Sequence, residues 1–239
     1  MRRTLATSAF SPRALTFVAS AALLAPAPGC VSVTSPPGYG NREMLGFEQI
    51  EATPWVMITD APHSLESSAG RLAIETLAVD RASLSPKFSR SVRLTVAGSS
   101  RVDVVCAHEP EGAAYPPPFE RVEAAAFVCL GVIDSERVTL AVERSCYRGV
   151  VTFGETERYT LTRGNVTIAG AALPSDEVSI HDERGALVAA FDLVTSMTFR
   201  VWSEGRSERD PTRARFIVVA AALHDWTTYA SAQSREACN

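Results

Sequence analysis

Four histidines and five cysteines are the side chains of this 239-residue chain most capable of chemistry near neutral pH. His108 precedes Glu109, His181 precedes Asp182 and Glu183, and His224 precedes Asp225, while His63 stands apart. A histidine beside a carboxylate can act as a general base or a metal ligand. None of these pairs has the i, i+4 spacing of an HExxH zinc site, and no cysteine pair has CxxC spacing. At a turn or helix end such a pair usually makes a structural hydrogen bond. His224-Asp225 is the pair best placed to be shielded from water, because it follows an apolar run. The serines near glycine, in AGSSR and WSEGRS, lack the GxSxG elbow of a serine hydrolase. No GxGxxG or GxxxxGK[ST] loop is present to cradle a phosphate. The residues therefore point to no catalytic site, no metal and no cofactor. The alternative is an envelope hydrolase with a dispersed site around His181-Asp182 or His224-Asp225.

Composition narrows the class further. At 46% hydrophobic and 21% charged residues the chain is an ordinary globular protein. Its 23 basic against 27 acidic residues leave a net charge of -4, which argues against a nucleic-acid binder that must neutralise many phosphates. Lys87 is the one lysine and the remaining basic residues are arginines, a bias to which no binding role is attached.

The N-terminus reads as an export signal. Arg2, Arg3 and Arg13 form a positive leader, Ala14–Ala25 an apolar stretch, and Ala27-Pro28-Gly29 a small-residue end before Cys30. The apolar stretch falls well short of the roughly 20 residues that span a bilayer. Gly29-Cys30 resembles a bacterial lipobox, in which a small residue precedes a cysteine that is acylated and becomes the new N-terminus. Ala27 stands where that motif favours leucine. The resemblance implies lipid attachment at Cys30, with residues 1–29 as signal peptide. Cleavage after Ala27 without lipid is the competing outcome. Assigning Cys30 to lipid leaves Cys106, Cys129, Cys146 and Cys238, an even number suited to disulfides in an oxidising compartment. Three pairings are open. Cys106 with Cys129, on strands flanking the Pro116-Pro117-Pro118 loop, and Cys146 with Cys238, stapling the C-terminus to the sheet, are favoured. Val31, in place of an aspartate, favours the outer membrane, facing the periplasm.

Residues 30–46, rich in Ser, Pro and Gly, read as the lipidated end and a flexible tether, and residues 47–239 as a single β-rich domain. Period-two alternation marks strands at Val92-Leu94-Val96, Val102-Val104-Cys106, Val138-Leu140-Val142, Val166-Ile168 and Phe199-Val201. Turn residues at 97–100, Asp134-Ser135-Glu136, Arg163-Gly164-Asn165 and Asp182–Gly185 separate such runs by short distances, implying antiparallel hairpins. Asp210-Pro211 is a helix start, and the apolar run Phe216–Leu223 behind it must be buried on every side as a helix, or central in a sheet as a strand. The helix is favoured. The expected fold is mainly β, an antiparallel sheet or barrel-like sandwich with a C-terminal, largely buried apolar helix.

The stretch EVSIHDERGALVAAFDLVTSMTFRVW, followed by RARFIVVAAALHDW, resembles the end of tubby-like and phospholipid-scramblase-like domains, over roughly Tyr147 to Trp226. That resemblance implies a closed antiparallel barrel around a buried C-terminal helix, and it carries no binding residue. The chain is also similar to small uncharacterised lipoproteins of Gram-negative bacteria, which implies no activity. Taken together, the expected protein is a non-catalytic lipoprotein of the bacterial envelope. Its expected partners are the membrane, through the N-terminal lipid, and an envelope protein or an apolar ligand.

Overall fold

The computed structural model describes residues 31–52, 63–68, 70–80, 89–97, 101–108, 125–143, 145–168, 171–193, 198–204 and 211–233. Its strands are β1 (Ser32–Thr34), β2 (Gly46–Ala52), β3 (His63–Ser67), β4 (Gly70–Asp80), β5 (Ser89–Ala97), β6 (Val102–His108) and β7 (Phe127–Ile133). They continue as β8 (Glu136–Val142), β9 (Arg148–Phe153), β10 (Glu157–Ile168), β11 (Ala171–His181), β12 (Leu187–Asp192) and β13 (Thr198–Ser203), before helix α1 (Pro211–Gln233). A short 3-10 helix, Tyr39–Met44, lies between β1 and β2.

From β2 to β13 each strand pairs antiparallel with the next, and β13 pairs back to β2, so 12 strands make one nearly closed barrel-like sheet. The wall alternates as a half-buried sheet must: inward residues of β8 and β9 such as Val138, Leu140, Val142, Val151 and Phe153 are buried, and their neighbours face out. The β7–β8 hairpin turns through Asp134 and Ser135, both at positive φ (50° and 77°), the backbone of a tight two-residue turn that matches the strand twist. Asp134 also ties this turn to the start of β6, its carboxylate accepting from the Arg101 N–H at 2.8 Å.

The interior is filled by α1. From Ala214 to Trp226 every residue of this helix except Arg215 is buried, and the helix shares one hydrophobic cluster with inward residues of all twelve barrel strands. A helix that is apolar all round finds burial on every side only inside such a wall. Ala220, Ala221 and Ala222 keep it slim there. The mainly β fold with a buried C-terminal helix is thus as expected. Among the described residues no helix is long and apolar enough to cross a membrane.

Two local expectations are corrected. Residues 31–46 do not form a free tether. β1 pairs with β10 through Ser32↔Thr167, Val33↔Val166 and Thr34↔Asn165, and Tyr39 is buried against the outer wall, so the folded body begins at Ser32 and not near Phe47. Backbone hydrogen bonds along the overhang of β10 beyond β9, and an aromatic anchor, hold a segment whose composition reads as flexible. Nor is Arg163-Gly164-Asn165 a turn. β10 runs straight through it with a bulge, where Gly164 is required because an added Cβ would lie 2.5 Å from the Thr34 carbonyl and 2.6 Å from Ser175 Oγ.

Cys106 and Cys129 are directly opposite on β6 and β7, both buried, and joined by a disulfide. Closing a loop of 23 residues stabilises by about 3 kcal/mol through the entropy it removes from the unfolded chain. Replacing both cysteines by alanine should lower the unfolding free energy by about that amount, read from urea midpoints. An unchanged midpoint would show the crosslink to be thermodynamically idle. Cys146 is buried and disulfide-bonded as well. The expected staple to Cys238 involves a residue outside those described, as does lipid attachment at Cys30.

Candidate functional site

Two polar clusters interrupt the apolar construction, one inside the barrel and one on its outer wall. The inner cluster grows from the β10 bulge. The bulge leaves residues 175–177 of β11 between the paired Pro174 and Val178, so the Ser175 carbonyl is released from the ladder. It accepts from Arg163 Nε at 3.1 Å and Nη2 at 2.9 Å, while the guanidinium lies 5.4 Å from the centre of the Trp226 ring. Burial pushes the Arg163 guanidinium down to about 10, against the opposing pull of Asp176 and Tyr147, so it stays charged at neutral pH. Burial raises the Asp176 carboxyl, with Arg163 drawing it back. Trp226 stacks on Phe127 with centroids 5.1 Å apart, and the His224 ring stacks on Phe199 at 4.8 Å. This cluster fixes the far end of α1 to β7, β10 and β13.

The outer cluster lies under the N-terminal segment. Register places Glu177, Asp192 and Arg200 in one row across β11, β12 and β13, and Ser179, Ala190 and Trp202 in the adjoining row on the same face. Glu177 and Asp192 are thus like charges directly opposite each other, offset in part by Arg200 Nη1 at 3.5 Å from Asp192 Oδ2. Over them sits the 3-10 helix. Its Tyr39 ring meets Trp202 edge-on at 6.4 Å, and the Arg42 guanidinium lies 4.3 Å from the Tyr39 ring centre and 5.0 Å from that of Trp202. Burial, then Asp192 and Glu177, raise the Tyr39 phenol well above its ordinary value, so it stays protonated. Buried within this cluster, Arg42 Nε, Trp202 Nε1, Ser179 Oγ, Glu177 Oε2 and Asp192 Oδ1 have no hydrogen-bond partner among the described residues. Each of these atoms is covered, so the cluster as it stands packs the 3-10 helix onto the wall.

The two histidines whose side chains are described, His181 and His224, are not brought together. His224 is on α1 inside the barrel and His181 is half-buried at the end of β11 on the wall. His63 and His108 lie on β3 and β6, with side chains outside the described residues. Asp182 serves its turn, Oδ1 accepting from the N–H groups of Arg184 at 2.9 Å and Ala186 at 2.8 Å. Among the described residues no group of three or more His, Cys, Asp or Glu is placed to hold a metal ion. The sequence singled out none of Tyr39, Glu177, Asp192 and Trp202 as a cluster. They come from separate segments, and the available signal was the polar face of EVSIH with Asp192 in an otherwise apolar strand.

His181 gives this region a pH dependence. Burial holds its pKa below the ordinary value of 6.5, with Asp182 opposing. The folded state therefore favours the neutral ring, and its stabilisation is present above the unfolded pKa. It is lost as pH falls below about 6.5, where the unfolded chain takes up the proton first. Urea midpoints measured from pH 7.5 to 5 should fall less steeply for His181→Gln than for the unaltered protein; equal slopes would remove His181 as a cause. Gly38 abuts this ring at φ +73°, a Cβ there coming 2.9 Å from His181 Nε2, so the docked N-terminal segment and the histidine share one tight contact.

No protein-family model matches the chain, and neither a curated protein nor a solved structure gives a significant match.

Proposed function

We propose that this chain is an exported lipoprotein of the bacterial envelope, held to the outer membrane by acylated Cys30, whose barrel is a non-catalytic binding module. The observation that carries the reading is that α1 fills the barrel interior. An open barrel of this size would offer a lumen to an apolar ligand, but here the protein's own helix occupies it. The outer wall is the working surface, and the exposed Phe47, packed on Trp202 at the border of the Tyr39–Trp202 cluster, marks the place on it offered to a partner protein. A disulfide inside the wall suits an oxidising compartment. The barrel around a C-terminal helix is also the architecture that the resemblance to tubby-like and scramblase-like domains implies.

The anchor is tested by Cys30→Ser in a bacterial host. The unaltered chain is expected in the membrane fraction, resistant to salt and released by detergent, and the variant in the soluble fraction. A variant that stays membrane-bound would overturn attachment through Cys30.

A further inference from the structure

The ribbon β1-β10-β11 has two unlike faces. Val33 is paired with Val166, Val166 with Leu173, and Ile168 is two residues beyond Val166, so these four share one face. Continuing the register by one residue sets Val31 beside Ile168. The other face carries Ser32, Thr34, Asn165 and Thr167. Six large apolar residues are exposed among those described, and three of them are in this ribbon: Val31 at 62%, Val33 at 59% and Ile168 at 47%. No acidic or basic residue occurs over 31–41 or 164–175, although the chain has 27 acids and 23 bases. This end of the ribbon, residues 31–34 with 164–168 and 171–175, is thus an uncharged, one-sided apolar surface on an acidic protein.

Its place in the chain says what covers it. Val31 follows Cys30, and Ser32 is already hydrogen-bonded into the barrel. A chain reaches at most roughly 3.6 Å per residue, so β1 begins within about 7 Å of Cys30. We propose that the apolar face of β1-β10-β11 lies in the lipid headgroup region of the bilayer that holds the Cys30 acyl chains. The surface orients the barrel, with the Ile168–Ala171 pair that ends β10 and begins β11 toward the membrane and the β11–β12 turn away from it. This rests on the lipoprotein reading above. With no free tether between lipid and wall, acyl insertion brings this face to the interface, and lack of charge removes the main cost of desolvating it there.

The test uses the acylated full-length protein, purified from membranes and reconstituted into phosphatidylethanolamine–phosphatidylglycerol vesicles. Val33→Cys, Ile168→Cys and, as a control at the far end of β11, Glu183→Cys each carry one environment-sensitive dye. The dye at 33 and 168 is expected to be quenched at least about two-fold more than at 183 by lipids brominated near the headgroup. In the unlabelled protein, hydrogen exchange over 165–168 and 171–173 should slow on vesicles. Equal quenching at all three positions, and unchanged exchange, in protein that is acylated and co-floats with vesicles would overturn the proposal and leave the anchor intact. Protein that carries no acyl group and does not co-float would overturn the lipoprotein reading, and this proposal with it.

Discussion

Replacing Trp226 by alanine should cost the fold about 3–5 kcal/mol, because a large buried ring is removed from a site that cannot collapse. Trp226 projects from a helix enclosed by strands, and its neighbours are held independently: Phe127 by the β6–β7–β8 pairings, Arg163 by the Ser175 carbonyl. Neither can move in to fill the space. The loss also removes the 5.1 Å stack on Phe127 and the ring face beneath the Arg163 guanidinium, which leaves a buried cation with less compensation. Trp226→Phe keeps most of the stack and should cost less than half as much. Denaturant midpoints of the two variants check this. A loss under about 1 kcal/mol for the alanine variant would mean that α1 is not enclosed as described.

A loss of similar size is expected at the other end of α1 for Arg213→Ala. Arg213 and Glu48 are nearly buried, with Nε and Nη2 of the arginine each 3.0 Å from Glu48 Oε2, and Nη2 also donates to the Phe47 carbonyl at 2.8 Å. Glu48 is committed further, accepting from the N–H and hydroxyl of Ser68 in the β3–β4 turn. One carboxylate therefore joins β2, a turn and the first turn of the helix. An arginine there opposes the helix dipole, so its placement depends on Glu48. Removing one partner of a buried pair leaves the other charge uncompensated, at a cost of about 3–5 kcal/mol. Arg213→Met combined with Glu48→Leu should recover much of it, giving a large coupling in a double-mutant cycle. Additive losses would show the pair to be independent. Arg215, bonded to Glu136 and Glu157 at the starts of β8 and β10, continues this polar collar around the helix entry on a more exposed rim.

The sequence was most legible where burial is one-sided or complete. Val102 and Val104 of β6 and Val138, Leu140 and Val142 of β8 are buried between partly exposed neighbours, and period two follows directly. The run FIVVAAAL had to be buried on every side whether helix or central strand, so its burial was legible before any contact was seen, while Asp210-Pro211 only favoured the helix. β7, FVCLGVI, is apolar on both faces and carries no alternation to read. In β2 the inward position before Ile50 is Glu48, whose partner is 165 residues away, so the pattern breaks where a long-range ion pair replaces an apolar contact. Three residues of β1 gain order only from pairing with β10, which local composition does not encode. Gly164 carried a true signal, a backbone approach that excludes a side chain, but turn and bulge use the same residue types. The outer cluster was illegible for a related reason: Tyr39, Glu177, Asp192 and Trp202 meet only once the barrel closes.

The proposed protein combines an acylated anchor, a crosslinked barrel and an outer binding surface. The intact mass of the native protein extracted from a membrane fraction, taken before and after reduction and alkylation, tests this most directly. The account predicts a chain that begins at Cys30, bears acyl groups, and gains four alkylated thiols only after reduction. A mass without lipid that retains the leader, or four thiols free before reduction, would contradict it.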